Sequence, residues 1–337
     1  MIEDELRASF ARHEAHAPAV GPLRRAIDRL AARRRRRRRL FRTAGAAAVA
    51  LVALIAVPLG LRPGPPTLMM EPILPADGAP TGPVNVLVVG LDPFPEPAGR
   101  PRTDTILLVH LPADRHRAYL ISFERDLQVD IPGYGPDKIN MAYVDGGSAL
   151  LESVVSKIAG VPVDGTITVD LPALATITDA LGGVRICQPV TVTSIHTGRR
   201  FDPGCYSLDG KSVTDLVRQR HDYPNGGYGR DATAQRILVG LAKQVVQANL
   251  LTDISRLAAL LRVDGLDIHL PYSMAILVAL VRNLDPSTVV GLGQPSFDPV
   301  GTNERLDPKV APDLFAALRT ETLDDFATRH PDWIVNL

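Results

Sequence analysis

Between residues 85 and 250, short apolar runs alternate with longer stretches of helical spacing. Asn85–Gly90, Thr105–Leu111 and Arg117–Phe123 are rich in β-branched residues and read as strands, the first closed by a glycine. Ala149–Ala159 reads as a helix ended by Gly160. Thr166–Val169 is a further strand. Asp170 then caps a helix that carries Pro172 in its first turn and Gly182 past its end. Val184–Val190 is again a strand, Asp209–Leu216 is helical, and Asp231–Leu250 is a long amphipathic helix. Beyond it, Ile254–Leu261, Tyr272–Arg282 and Pro308–Leu318 carry helical patterns, the last with Asp307 as its N-cap. Strands interleaved with helices predict an α/β class with a layered sheet. The short early segments favour a mixed central sheet. Residues 251–337 show no separate domain and are expected to pack onto the same core.

One segment breaks this pattern. Thr43–Leu61 is 19 residues without a charge, preceded by seven consecutive arginines, Arg33–Arg39. At about 1.5 Å per residue it matches the hydrocarbon thickness of a bilayer, which predicts one transmembrane helix ahead of the domain. Arginines on its N-terminal side put that end in the cytoplasm and the main domain outside the cell membrane. A cleaved signal peptide is the competing reading, but the leader is long and no clear A-x-A site follows. The arginine run could contact nucleic acid, yet beside an apolar span it reads as a topology signal that touches anionic lipid. The expected organisation is a basic tail (1–42), the span (43–61), a proline-rich linker (62–83) and an extracytoplasmic domain (84–330, core motifs 84–250).

Charge sharpens that division. The 337-residue chain has zero formal net charge and is 45% hydrophobic, which excludes a disordered class. Residues 1–42 hold 13 Arg against 5 Asp and Glu, so the remainder carries 24 basic against 32 acidic residues. The two cysteines, Cys187 and Cys205, lie on the predicted outer side and favour a disulfide over two buried thiols. No CxxC, no G-x-S-x-G and no histidine metal spacing occurs, which argues against zinc and serine-hydrolase chemistry.

The candidate chemistry is anionic. Arg218, Arg220 and Arg230 surround a loop rich in glycine; Arg102 lies in RTDT and Arg125 in FERD. Guanidinium groups are always charged and fork-shaped, so their convergence points to phosphate or diphosphate. Spaced i, i+2, Arg218 and Arg220 would share a face on an extended segment. Arg230 is expected just ahead of the long helix, whose N-terminus favours an anion. Asp92 follows the first strand and Asp104 opens the second. In a hairpin both would reach one sheet edge, where paired carboxylates can hold Mg²⁺ together with substrate phosphates and water. Glu124, Arg125 and Asp126 end the third strand.

The motif order GLD, RTDT, SFERD, DKINMAY, ALGGV, LDG, VRQRH and GR, from Val84 to Leu250, resembles the LytR–CpsA–Psr domain. The resemblance implies a three-layer α/β/α domain and a membrane-anchored, Mg²⁺-dependent phosphotransferase. Such a protein moves a glycopolymer from a polyprenyl-diphosphate carrier to a peptidoglycan hydroxyl, with no specific nucleic-acid partner. It assigns Asp92 and Asp104 to the metal, and Arg102, Arg125, Arg218, Arg220, Arg230 and Lys138 to the diphosphate. Arg125, Arg220 and Asp104 would be the catalytic set. The lipid tail would occupy an apolar pocket. Three departures stand out. Glu124-Arg125-Asp126 replaces the family's Pro-Arg-Asp. Gly227-Tyr228-Gly229-Arg230 replaces Asp-Phe-Gly-Arg. Thr233-Ala234-Gln235 replaces Arg-Gln-Gln. An acid and an arginine are thereby lost, with Asp222 or Asp231, and Arg236, as candidate substitutes. A catalytically weak member that binds lipid-linked glycan or wall-assembly partners is the alternative. Transcription control through the tail is a third reading, without a helix-turn-helix pattern to support it.

Overall fold

The computed structural model describes residues 79–92, 101–297 and 303–337. The expected tail, transmembrane span and most of the linker, with residues 93–100 between the first two strands, lie outside the described residues. Among those described, no helix is long and apolar enough to cross a membrane.

The centre is a seven-stranded mixed sheet. Strand β1 (Val84–Asp92) pairs antiparallel with β2 (Arg102–Leu111), which pairs antiparallel with β3 (Tyr119–Phe123). Two short hairpin strands, β4 (Gln128–Ile131) and β5 (Gly135–Lys138), then lead into helix α1 (Ile139–Ala159). Strand β6 (Gly165–Asp170) runs parallel to β1, and helix α2 (Leu171–Ala180) follows it. Outside the main sheet are β7 (Val184–Gln188), β8 (Val192–Thr193), β9 (Arg200–Phe201) and β10 (Gly204–Leu208). Helices α3 (Gly210–Val217), α4 (Gly227–Gln247) and α5 (Ile254–Leu260) come next. Strand β11 (Leu266–His269) closes one sheet edge against β6. After α6 (Met274–Val281), β12 (Val290–Leu292) pairs parallel with β3. The chain ends through β13 (Ser296–Phe297), β14 (Arg305–Leu306), α7 (Ala311–Arg319), α8 (Leu323–Arg329) and β15 (Ile334–Val335), which pairs with β12. Residues 251–337 therefore complete the main sheet.

Alternation along the strands sends side chains to both faces. Leu87, Val89, Ile106 and Leu108 pack against α1, α7 and α8. Leu107, between them, joins Val213, Leu216 and Ile237 of α3 and α4 on the other face. Cys187 and Cys205 stand opposite each other in the β7–β10 pair and form a disulfide.

Local signals explain most boundaries. The Asp170 carboxylate accepts from the Ala173 amide at the start of α2, with proline in the first turn. Gly160 ends α1 in the left-handed region. Helix α1 nevertheless begins ten residues before the expected Ala149: a first part from Ile139 precedes a break at Gly147, whose dihedrals are non-helical, and the expected helix is the second part. The last predicted helix starts late: Asp307 accepts from the Lys309 and Val310 amides in a turn ahead of α7 rather than capping it. The strand expected to reach Val190 ends at Gln188.

Candidate functional site

The β1–β2 register brings the acidic residues to one edge. Asp92 lies opposite Arg102 and Leu91 opposite Thr103, while Gly90 pairs with Thr105. Asp104 is the extra residue of this bulge, a device that re-aims a side chain at a strand end. Space there is tight, since a Cβ on Gly90 would come within 3.0 Å of the Thr105 Cβ.

Around this edge, cations and carboxylates interleave. Arg125 pairs with Asp104, and Arg218 Nη2 lies 3.6 Å from Asp92 Oδ2. Asp126 receives Lys138 Nζ at 2.7 Å and Arg220 Nη2 at 3.2 Å, with Arg125 Nε at 3.5 Å. Burial pushes the Asp126 carboxyl upward, but these cations outweigh it and hold it below its ordinary value. Arg230 is the innermost charge, 1% exposed. Its Nη2 meets Asp231 Oδ1 at 3.0 Å and Glu124 Oε1 at 3.5 Å, and its Nη1 lies 4.0 Å from Asp104. Burial opposes the Arg230 charge, yet Asp231, Glu124 and Asp104 raise its pKa above the usual value. Asp231 goes the other way. Complete burial lifts its carboxyl to about 6 against the attraction of Arg230, and Glu124 adds a like charge.

The structure thus gathers Asp92, Asp104, Arg125, Lys138, Arg218, Arg220 and Arg230, with Arg102 exposed across the register from Asp92. It alters two expectations of backbone placement. Arg218 is the helical C-cap of α3, so Arg218 and Arg220 do not share an extended face and reach different acids. Arg230 sits inside the first turns of α4, since that helix starts at Gly227. Of the proposed substitutes, Asp231 is in the cluster. Asp222 accepts from the Thr193 amide elsewhere, and Arg236 Nε donates to the Asn336 carbonyl at 2.8 Å. Glu124 and Asp126 are further members; their signal was their position beside Arg125. Gln235 has a structural task, its amide donating to Ser122 Oγ at 2.6 Å and to the Leu292 carbonyl at 3.0 Å.

Glu124 also bears on the missing acid. A Cβ on Gly227 would overlap Glu124 Oε1, with Arg220 Nη2 3.4 Å away. The 2% exposed Glu124 side chain therefore occupies the space that a side chain at position 227 would need.

Two cavities flank the cluster, divided by α4. One, about 330 Å³, has Asp92, Asp104 and Arg218 at its polar end; Ile167, Leu174, Ile237 and Leu241 are among its apolar walls. A second apolar cavity of about 410 Å³ shares Val88, Ile167, Leu238 and Ala242 with it, so the apolar space continues along the sheet. On the other flank, Glu124, Tyr228, Asp231, Gln294 and Trp333 line a more polar cleft of about 360 Å³. Among the described residues no group of three or more His, Cys, Asp or Glu is arranged to hold a metal. Asp92 and Asp104 still offer two partly exposed carboxylates at the end of one cavity. That suits a hard cation that draws its other ligands from phosphate and water.

Similarities to known proteins agree with this architecture. The chain is 31% identical over 171 residues to a polyisoprenyl-teichoic acid–peptidoglycan teichoic acid transferase, TagU, of Enterococcus faecalis, covering 50% of the chain and 55% of that protein. It is 32% identical over 184 residues to the regulatory protein MsrR of Staphylococcus aureus, covering 54% and 55%. The chain spans about half the length of these curated relatives. In fold it is similar to the crystal structure of Bacillus subtilis TagV (TM-score 0.61, 19% identity, 72% of this chain and 98% of that one). It is also similar to TagT bound to LI-WTA (TM-score 0.57, 22% identity, 72% and 91%). The LytR_cpsA_psr family model matches residues 69–275, most of the sheet and the whole charged cluster, and the chain belongs to that family.

Proposed function

We propose that this protein is a membrane-anchored phosphotransferase that moves a glycopolymer from a polyprenyl-diphosphate carrier to a peptidoglycan sugar hydroxyl. The observation that carries the reading is one arginine–carboxylate cluster at the polar end of an otherwise apolar cavity. A prenyl chain matches the cavity and a diphosphate matches the cluster. The uncharged segment Thr43–Leu61 supports anchoring, with the N-terminus cytoplasmic and the domain outside. The names of the relatives, one of them a teichoic acid transferase, support the substrate class.

Asp92 and Asp104 would hold Mg²⁺, which supplies charge neutralisation at the phosphates. The chain's own groups do the rest. Arg125, Arg218, Arg220, Arg230 and Lys138, with Arg102 at the rim, bind the two phosphates and stabilise charge as it shifts toward the leaving group. The acceptor hydroxyl oxygen forms a bond to the phosphorus that bears the glycan. The bond from that phosphorus to the bridging oxygen breaks, and polyprenyl phosphate leaves with the electron pair. The hydroxyl proton passes to a carboxylate of the cluster. Glu124 takes the place of the acid that the family pattern keeps at position 227, which favours turnover over a purely binding role.

Arg125→Ala and Arg220→Ala are each expected to lower transfer from a lipid-linked donor at least 100-fold in the detergent-solubilised full chain. Transfer at the wild-type rate in both would refute the reading.

A further inference from the structure

The polar cleft beside α4 contains two side chains whose hydrogen-bonding capacity is unspent. Gln294 is 1% exposed, and neither its amide nitrogen nor its oxygen has a partner. Asp231 is equally enclosed, and its Oδ2 has none either, since Arg230 engages only Oδ1. Both line the cleft. Buried polar atoms are nearly always paired, so three orphans in residues that line one cleft mark a place where a small turn of these side chains toward an occupant would supply the partners. Its volume of about 360 Å³ falls in the range of ligand sites, roughly 300–1,000 Å³, and far exceeds the share of one water, about 30 Å³.

The chemistry of the orphans selects the ligand. Gln294 offers a donor and an acceptor, and Asp231 an acceptor. A hydroxyl both donates and accepts, so adjacent hydroxyls of a sugar satisfy this set, whereas a phosphate has no proton for Asp231. Trp333 contributes an aromatic wall for the C–H face of a sugar ring, and Asn225 and Asn336 add amides at the rim. Glu124 and Asp231 belong both to this cleft and to the charged cluster, so a sugar seated here stands next to Arg230.

We infer that the cleft bounded by Gln294, Asp231 and Trp333 is a subsite for a sugar residue, seated beside the reacting phosphates on the side opposite the lipid. It rests on the transferase reading only in supposing that a glycan reaches the cluster. The sugar belongs either to the acceptor strand or to the first units of the donor glycan, and the two are separable by experiment.

Gln294→Leu in the solubilised full chain is the decisive variant. It removes two orphaned polar atoms at nearly constant shape, so a merely structural Gln294 would leave the thermal midpoint equal or higher and every substrate constant unchanged. The subsite instead predicts a midpoint equal or higher together with a tenfold or larger rise in one KM at near-constant kcat. A rise for soluble, uncrosslinked peptidoglycan strands assigns the cleft to the acceptor. A rise for polyprenyl-diphosphate-linked glycan, with binding of sugar-free polyprenyl diphosphate unaltered, assigns it to the donor. Should the wild type show no transfer at all, calorimetric titration with soluble N-acetylglucosamine oligomers and with the detached glycan still tests the cleft. Binding of either that weakens tenfold in Gln294→Leu and in Trp333→Ala supports the inference. Values within twofold of wild type for every glycan in both variants overturn it.

Discussion

Helix α4 separates two cavities of similar size and different character, one apolar and one of mixed polar and apolar lining. The one against β1, β2 and β6 holds about 330 Å³ behind Ala234, Ile237, Leu238 and Leu241; the one against β3 and the C-terminal strands holds about 360 Å³ beside Tyr228, Asp231 and Arg236. A helix of 3.6 residues per turn can present both flanks at once, and its first turns carry Arg230 between them. For the proposed donor, with a hydrocarbon end, a charged middle and a sugar end, the difference predicts an orientation. Hydrocarbon gains less on the mixed flank, and sugar hydroxyls would lose their hydrogen bonds on the apolar one.

The largest expected effect comes from filling the apolar side. Ala242 lines both apolar cavities. Ala242→Trp should weaken polyprenyl-diphosphate binding at least 100-fold while leaving the binding of soluble glycan within twofold. Equal loss of both ligands would mean that α4 had shifted as a body, and unchanged lipid binding would place the prenyl chain elsewhere.

Next in size is the carboxylate exchange at the junction of the two sides. Glu124→Ala should reduce transfer roughly 10–100-fold by removing a charge from Arg220 and Arg230. Gly227→Asp alone should lower stability by about 1–3 kcal/mol, because its Cβ overlaps Glu124 and the two acids repel. Combined, the substitutions open the space and restore one acid, so the double variant should recover most of the lost rate. Steady-state kinetics with thermal unfolding on all three proteins measures this. A double variant no better than Glu124→Ala would separate Glu124 from the role of the acid at position 227.

This exchange also marks the limit of what the chain reveals before folding. The β1–β2 hairpin, the capped start of α2 and the long apolar face of α4 were legible because each rests on local periodicity and capping. The arginines and Asp92 and Asp104 were legible as an ordered set of motifs. The contact of Glu124 with the space beside Gly227 was not, because it depends on where the end of β3 meets the start of α4; Glu124 and Arg230 are 106 residues apart in sequence. Gln294 and Trp333 were equally silent, since a single buried amide and a single aromatic carry no spacing signal. Strands β8, β9, β13 and β14, two residues each, are too short for a period-2 pattern to show.

A smaller effect tests the apolar side alone. The disulfide joins β7 to β10, whose Val184, Ile186 and Leu208 pack in one cluster with Ile237 of α4. Replacing both cysteines by serine should cost about 3 kcal/mol of stability, the value for a loop of this length. Lipid binding should then fall on heating before soluble-glycan binding does. Simultaneous loss of both would show that the two flanks unfold as one cooperative unit.

The smallest effect belongs to the polar side. The Asp231 carboxyl titrates at about 6 in the fold, against an ordinary 3.8, because burial disfavours its charge. Between these values the native state holds more protons than the unfolded chain. The Asp231 contribution to stability should therefore decline as pH rises from about 4 to 6, by at most about 1.4 kcal/mol per pH unit, and level off above, while buried His110, lowered to about 4, contributes the opposite slope in wild type and variant alike. Asp231→Asn removes this component, so the difference between wild type and variant should slope only in that window; a constant difference would mean an ordinary Asp231. A sugar hydroxyl that donates to Oδ2 favours the charged form and moves the window to lower pH. Saturating soluble glycan should therefore flatten the slope near pH 6, whereas a prenyl chain across α4 leaves it in place. That contrast separates the two flanks through a single carboxylate.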